Sequence, residues 1–241
     1  MATLVLVHGG SVTSRSWDPL LPLLTTPAHA IDLPGRRYRP ADLGALHRTD
    51  WETSAADDVL ALGLALDEVV LVGHSSGAYV IPGVAARLPA GLVRHLVLVA
   101  GTCPAEGDRP VDAMAARLRS IAVENETRLR AGAVGRTLSD LRPGEPPIDT
   151  DLELVDVKAA MGVEAPQQLF EPMTWVGVPD VPRTYIRAMR DRIIPPEHAL
   201  QMAANAGATT VIDIEADHDV AGSAPQDLAR ILDRIATNPS G

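Results

Sequence analysis

Cysteine is nearly absent: Cys103 is the only one in 241 residues. An internal disulfide is therefore excluded, and so is any cysteine-based metal-ligand spacing. A lone thiol of this kind reads as a small apolar packing residue. Aromatic side chains are scarce, at 3% of the chain, which argues against an aromatic cage or a stacking platform for bases. No apolar run reaches the roughly 18 residues of a membrane-spanning helix. The stretch from Met1 to Val7 has neither the basic segment nor the small-residue cleavage site of a secretory signal, so the expectation is a cytoplasmic protein that engages no membrane. Positive charge is in deficit, with 21 Lys+Arg against 31 Asp+Glu and a formal net charge of −10. The acidic residues are spread along the chain, where they repel phosphate, so nucleic acid is not an expected partner. The densest basic group, Arg36, Arg37 and Arg39, reads as a solvated loop rather than an anion site.

What is present is apolar surface: 46% of the residues are hydrophobic, enough for one sizeable core and a single domain over residues 1–241. Short apolar runs alternate with amphipathic stretches. Strands are expected at 4–7, 28–33, 68–72, 95–100, 183–188 and 209–214, and helices at 54–66, 76–88 and 225–236, with Ser54 as an N-cap. Continuous apolar strands separated by helices imply a mostly parallel sheet covered on both faces, an α/β architecture. The rhythm breaks between residues 103 and 178. Helical pieces near 111–130 and 152–161 flank a Pro/Gly-rich link at 142–147. This segment lies between two sheet strands and is expected to form an inserted helical lid over one end of the sheet.

The sharpest local signal is Gly73-His74-Ser75-Ser76-Gly77. It fits G-x-S-x-G, with a strand before it and a helix after it, which is the nucleophile elbow of the α/β-hydrolase pattern. A serine on so tight a turn projects its hydroxyl above the sheet, in a strained conformation. Glycines two residues to either side remove Cβ atoms that would crowd the neighbouring strand and helix. Pro82 sits inside the expected helix and predicts a kink or a shortened segment.

A serine needs a base, and in this pattern the chain order is Ser, acid, His. His218 follows the last strand, at the end from which it can reach the elbow. His198 sits at a helix start instead. Asp191 follows the preceding strand and is the expected acid, with Glu106 and Asp108 after the fourth strand as competitors. The oxyanion requires two donors. Ser76 N–H is one. The loop His8-Gly9-Gly10-Ser11 supplies the other, Gly10 first and Ser11 second. His8 reads as a loop brace. The candidate substrate pocket takes in Ser11, His74, Met173 and Trp175, and further apolar lid positions are Met114, Leu118, Ile121, Leu169 and Phe170.

Val5-Leu6-Val7-His8-Gly9-Gly10, Trp17, Asp32-Leu33-Pro34-Gly35, the Ser75 motif, Asp191 with Ile193-Ile194-Pro195-Pro196, and Asp217-His218 occur in order over nearly the whole chain. Together they resemble the small α/β-hydrolases related to plant methylesterases and hydroxynitrile lyases. The resemblance implies a mostly parallel sheet, a helical cap and hydrolysis through an acyl-enzyme. The lyases of that group carry a Thr in the oxyanion loop and a Lys directly after the base. Gly9 and Asp219 stand there in this chain, which disfavours cyanohydrin chemistry and anionic substrates. Relatives that open haloalkanes or epoxides use an Asp where Ser75 stands.

The expected activity is hydrolysis of a small, uncharged, apolar carboxylic ester, lactone or thioester, without metal or organic cofactor. Two other readings are a lyase, cyclase or isomerase that uses the same residues only as acid and base, and a non-catalytic binding module. Oligomeric state stays open, a homodimer included.

Overall fold

The computed structural model describes residues 2–10, 12–36, 39–42, 44–114, 116, 119, 120, 123 and 167–238. Six strands form one sheet: β1 (Thr3–Val7), β2 (Ala28–Ile31), β3 (Val69–His74), β4 (Val93–Val99), β5 (Arg183–Ala188) and β6 (Thr210–Ile214). Every pairing is parallel, in the order β2-β1-β3-β4-β5-β6. The helices are α1 (Arg48–Ala61), α2 (Gly77–Arg87), a short α3 (Gln167–Phe170), α4 (Pro196–Asn205), a one-turn α5 (Val220–Ser223) and α6 (Pro225–Thr237).

The central strands β1, β3 and β4 carry apolar residues at consecutive positions because both of their faces are buried. Val5, Val7, Val69, Leu71, Leu96, Leu98 and Tyr185 join one core with α1, α2 and α4. Leu4, Leu6, Val70, Val72, Val97, Val99 and Ile186 join the opposite core with α6 and Trp17. Alternate side chains of each strand thus feed opposite faces. The chain runs from β1 outward to β2 and then returns to β3 on the other side. The carboxyl ends of β1 and β3 therefore flank the crevice where open parallel sheets bind ligands.

Three expectations are corrected. The helix expected at 54–66 begins earlier, at Arg48, because the Asp50 carboxylate accepts the His47 N–H (2.8 Å) and closes the first turn. Ser54 is inside that helix, where its hydroxyl accepts from Arg39 Nη1 (2.6 Å). The arginine group is not a solvated loop: Arg36 is buried, and Arg39 bridges to Ser54 and Asp58 on α1. Arg37 lies outside the described residues. Helix α2 runs through Pro82 without a break. The ring removes one backbone donor, and Gly83 beside it lets α1 approach so closely that a Cβ there would meet the Glu52 carboxylate. That carboxylate is buried between Arg48 and Arg87.

Of the lid expected over 103–178, residues 115, 117, 118, 121, 122 and 124–166 lie outside the described residues, Leu118 and Ile121 among them. Its described flanks are a 3-10 turn (Pro110–Ala113) and α3. Val111 and Phe170 are buried together there, with Met114 and Leu169 packed against them. Cys103 is buried, and burial pushes its thiol pKa up, so the group stays a neutral packing side chain.

Candidate active site

Ser75 follows β3 directly, with a φ of 50°, a left-handed value that costs a non-glycine residue energy. Hydrogen bonds hold the turn from both ends. Ser75 N–H donates to Val99 O (3.0 Å), and Ser75 O accepts from Ala78 N (3.1 Å) and Thr102 N (3.0 Å). The flanking glycines are sterically required. A Cβ on Gly73 would lie 2.5 Å from Gly77 O, and one on Gly77 would lie 2.6 Å from Val7 O and 2.7 Å from His8 O. The elbow is thus wedged between β1 and α2, and only missing side chains allow that approach.

Three side chains from three carboxyl-end loops meet here. Ser75 Oγ lies 2.9 Å from His218 Nε2, and His218 Nδ1 lies 2.7 Å from Asp191 Oδ2. Asp191 Oδ1 accepts the N–H groups of Ile193 (2.7 Å) and Ile194 (2.9 Å). The backbone after β5 thereby fixes the carboxylate, which in turn fixes the imidazole with its proton on Nδ1. Nε2 is left to accept from the serine hydroxyl. Asp191 and His218 are both buried. Glu106 is engaged elsewhere, accepting from Thr174 Oγ1 (2.8 Å) and Trp175 N (2.6 Å), and Asp108 is exposed. His198 Nε2 is bonded to Ala113 O, away from the serine.

The loop after β1 lies against the elbow. A Cβ on Gly9 would come within 3.1 Å of both His74 Nδ1 and Ser75 Cβ. His8 braces this loop: its Nδ1–H donates to Gly9 O (2.8 Å), and its Nε2 accepts the Leu33 N–H (3.2 Å). Full burial, aided by the charge of Arg36, pulls its pKa down to about 4, so the ring is neutral and keeps this donor–acceptor pattern. Asp32 adds a further brace by accepting the Ser14 N–H (2.7 Å). Gly10 follows Gly9 in this loop; Ser11 lies outside the described residues. The Ser76 N–H, at the start of α2, has no backbone acceptor among the described residues.

His74 has a more specific place than a pocket wall. Its Nε2–H donates to the backbone carbonyl of His218 (2.8 Å), and Trp17 meets its ring edge-on at 6.1 Å. Desolvation first, and the nearby His218 ring second, hold its pKa at about 3. Met173 is packed into the core rather than lining an opening. Trp175 stacks under Arg183 and donates Nε1–H to Pro104 O (2.9 Å). Asp219 caps α5 by accepting the Gly222 N–H (3.1 Å). One contact has no signal in the sequence. Gln168 of α3, buried, donates Nε2–H to Ser76 Oγ (3.2 Å) across 92 positions, and Tyr79 OH on α2 donates to Gln168 O (2.9 Å).

A hydroxyl bonded to an imidazole whose far nitrogen is held by a carboxylate can lose its proton as it attacks an electrophile. The family model described as alpha/beta hydrolase family matches residues 4–231. No curated protein matches the sequence. Among solved structures, an extracellular alpha/beta-hydrolase from a Paenibacillus species superposes with a TM-score of 0.81 at 19% identity, covering 97% of this chain and 98% of its own. A pyrethroid hydrolase from Sphingobium faniae gives 0.69 at 21% identity, over 99% and 98% of the two chains. A methylesterase from Arabidopsis gives 0.70 at 18% identity, over 98% and 99%. With sheet order, elbow and family model in agreement, the chain belongs to the alpha/beta hydrolase family.

Proposed function

We propose that the protein is a serine hydrolase that cleaves a small, uncharged carboxylic ester, lactone or thioester through an acyl-enzyme. The observation that carries this reading is the continuous chain from Ser75 Oγ through His218 to Asp191, at 2.9 and 2.7 Å. Ser75 attacks the carbonyl carbon as His218 Nε2 takes its proton. The N–H groups of Ser76 and Gly10 hold the oxyanion. His218 then returns the proton to the leaving alcohol or thiol, and afterwards deprotonates the water that releases the acid. Asp191 keeps the ring in the right tautomer throughout. No step calls for a metal or an organic cofactor.

Substrate class follows from the surroundings. The cap flank presents Leu169 and Met114 beside buried Phe170 and Val111, which suits an apolar acyl or alcohol part. The tight fit of Gly9 against His74 and Ser75 leaves no ordinary space for a branched Cβ, which supports the esterase branch over cyanohydrin chemistry. We place the enzyme in the cytoplasm, as one domain over 1–241 with a cap over 103–178. Purified Ser75→Ala is expected to lose turnover of short p-nitrophenyl esters by about 10³-fold or more. A fluorophosphonate is expected to add mass at Ser75. Unchanged turnover in the variant sinks the assignment, whereas absence of the adduct favours acid–base use of the same residues.

A further inference from the structure

We propose that Gln168, on the cap flank, is a positioning residue that aims the Ser76 N–H at the oxyanion. The inference rests on the serine-hydrolase reading above. In a trans peptide the N–H points opposite to the C=O of the same plane. Ser75 O is pulled toward Ala78 N and Thr102 N, which turns the Ser76 N–H the other way, out of α2. Those bonds fix one side of the peptide plane only. The Ser76 residue itself has helical φ and ψ (−64°, −25°), and its side chain makes no capping bond to α2. An N-cap serine ordinarily spends its hydroxyl on that bond. Here the hydroxyl accepts from Gln168 Nε2 instead, at 3.2 Å.

Gln168 can act as an anchor because it is held firmly itself. Its backbone carbonyl accepts from Tyr79 OH, in the first turn of α2. Its neighbours pin the same segment to the first residues of α1 and to the loop before it. Gln167 Nε2–H donates to Gly44 O (2.8 Å), and the Glu171 carboxylate accepts the Arg48 N–H (2.7 Å) and is bonded to His47. The segment from 167 to 171 is thereby clamped between α1 and α2, with one amide reaching the residue that follows Ser75. The oxyanion donor and the segment 167–171 are mechanically one unit, so a shift of that segment by a fraction of an ångström misaims the donor.

The test is a double-variant cycle on Gln168→Met, which keeps length and loses the donor, and Ser76→Ala, which keeps the N–H and loses the acceptor. Each single variant is expected to lower kcat about tenfold with KM within about twofold. The double variant is expected to lose no more than either single one, because both remove the same bond. Ser76→Thr, which retains the hydroxyl, is expected to restore most of kcat. Losses that multiply in the double variant, or a kcat within twofold of wild type in both single variants, overturn the proposal. If Gln168→Met fails to fold, Ser76→Ala against Ser76→Thr carries the test alone, with equal kcat in the two overturning it. The wild type is titrated with a fluorophosphonate in parallel. Wild-type protein that takes no label and hydrolyses no ester overturns the serine-hydrolase reading itself, whereas full labelling with unaffected variants overturns only the role of Gln168.

Discussion

At position 77 a single methyl group is too much. Its Cβ would fall 2.6 Å from Val7 O and 2.7 Å from His8 O, and both obstacles are backbone. Neither can rotate away, so β1 and α2 would have to part. Gly77→Ala is therefore expected to cost about 3 kcal/mol of stability, seen as a lower urea midpoint with the slope of the transition unchanged. A midpoint within error of wild type would show that the elbow has slack. His74 acts at the same scale but on activity. Its Nε2–H holds the carbonyl of His218, so removing it frees the backbone of the proposed base while leaving Ser75 and Asp191 in place. His74→Ala is expected to reduce kcat about tenfold, and His74→Gln, which returns an N–H at similar reach, to recover part of it. Equal activity in wild type and His74→Ala would refute this bracing role.

Helix α1 shows why some elements were legible in the sequence and others not. Strands β1, β3 and β4 announce themselves through the apolar runs 4–7, 69–72 and 96–99, because both of their faces are buried there. The residue pattern places the start of α1 six residues too late. Ser54 looks like a cap by residue type, yet Asp50 does the work by reaching back to His47 N–H, and the helix is already formed where Ser54 stands. Asp50→Ala is expected to lower stability by about 1 kcal/mol, read from thermal or urea unfolding, with ester turnover unchanged. Ser75, Asp191 and His218 could be found because each follows a strand end and the order along the chain is fixed. Gln168 could not, since its bond to Ser76 joins positions 92 apart and no local pattern encodes such a contact. His74 was visible as a residue but not as a brace, because its partner is a backbone carbonyl and backbone atoms carry no sequence signal.

At the scale of the whole molecule, three histidines with dehydrated rings couple the fold to pH. His8 and His74 stand at the carboxyl ends of β1 and β3, and His95 belongs to β4, its ring bonded to Thr184 Oγ1 of β5 at 2.9 Å. Desolvation is the first cause that depresses each, to about 4, 3 and 4 respectively, with Arg36 adding to it at His8, His218 at His74 and Arg94 at His95. The folded rings stay neutral while the unfolded chain binds protons below its ordinary value near 6.5. The unfolded state therefore gains protons first, so this stability is full above about pH 6.5 and is lost as pH falls from there toward 4. Each ring contributes a slope of about 1.4 kcal/mol per pH unit within that window, or about 4 for the three. Against a typical reserve of about 5–15 kcal/mol, this is a large part of the stability, and acidification from pH 6.5 is expected to weaken the fold markedly. Two other groups of charges act differently. The hydrogen bonds from Arg109 and Arg187 hold Asp112 and Asp213 below their usual range, so those carboxylates lose their contribution only below about pH 4. Burial raises the pKa of Glu52, so acidification relieves that residue and opposes the histidines. Urea midpoints at pH 7.5, 6.5 and 5.5 measure the slope. His95→Gln keeps an amide near Thr184 but cannot titrate, so its stability should fall with pH about one third less steeply than that of wild type. A slope unchanged in His95→Gln, or a wild type equally stable at pH 7.5 and 5.5, would refute the coupling.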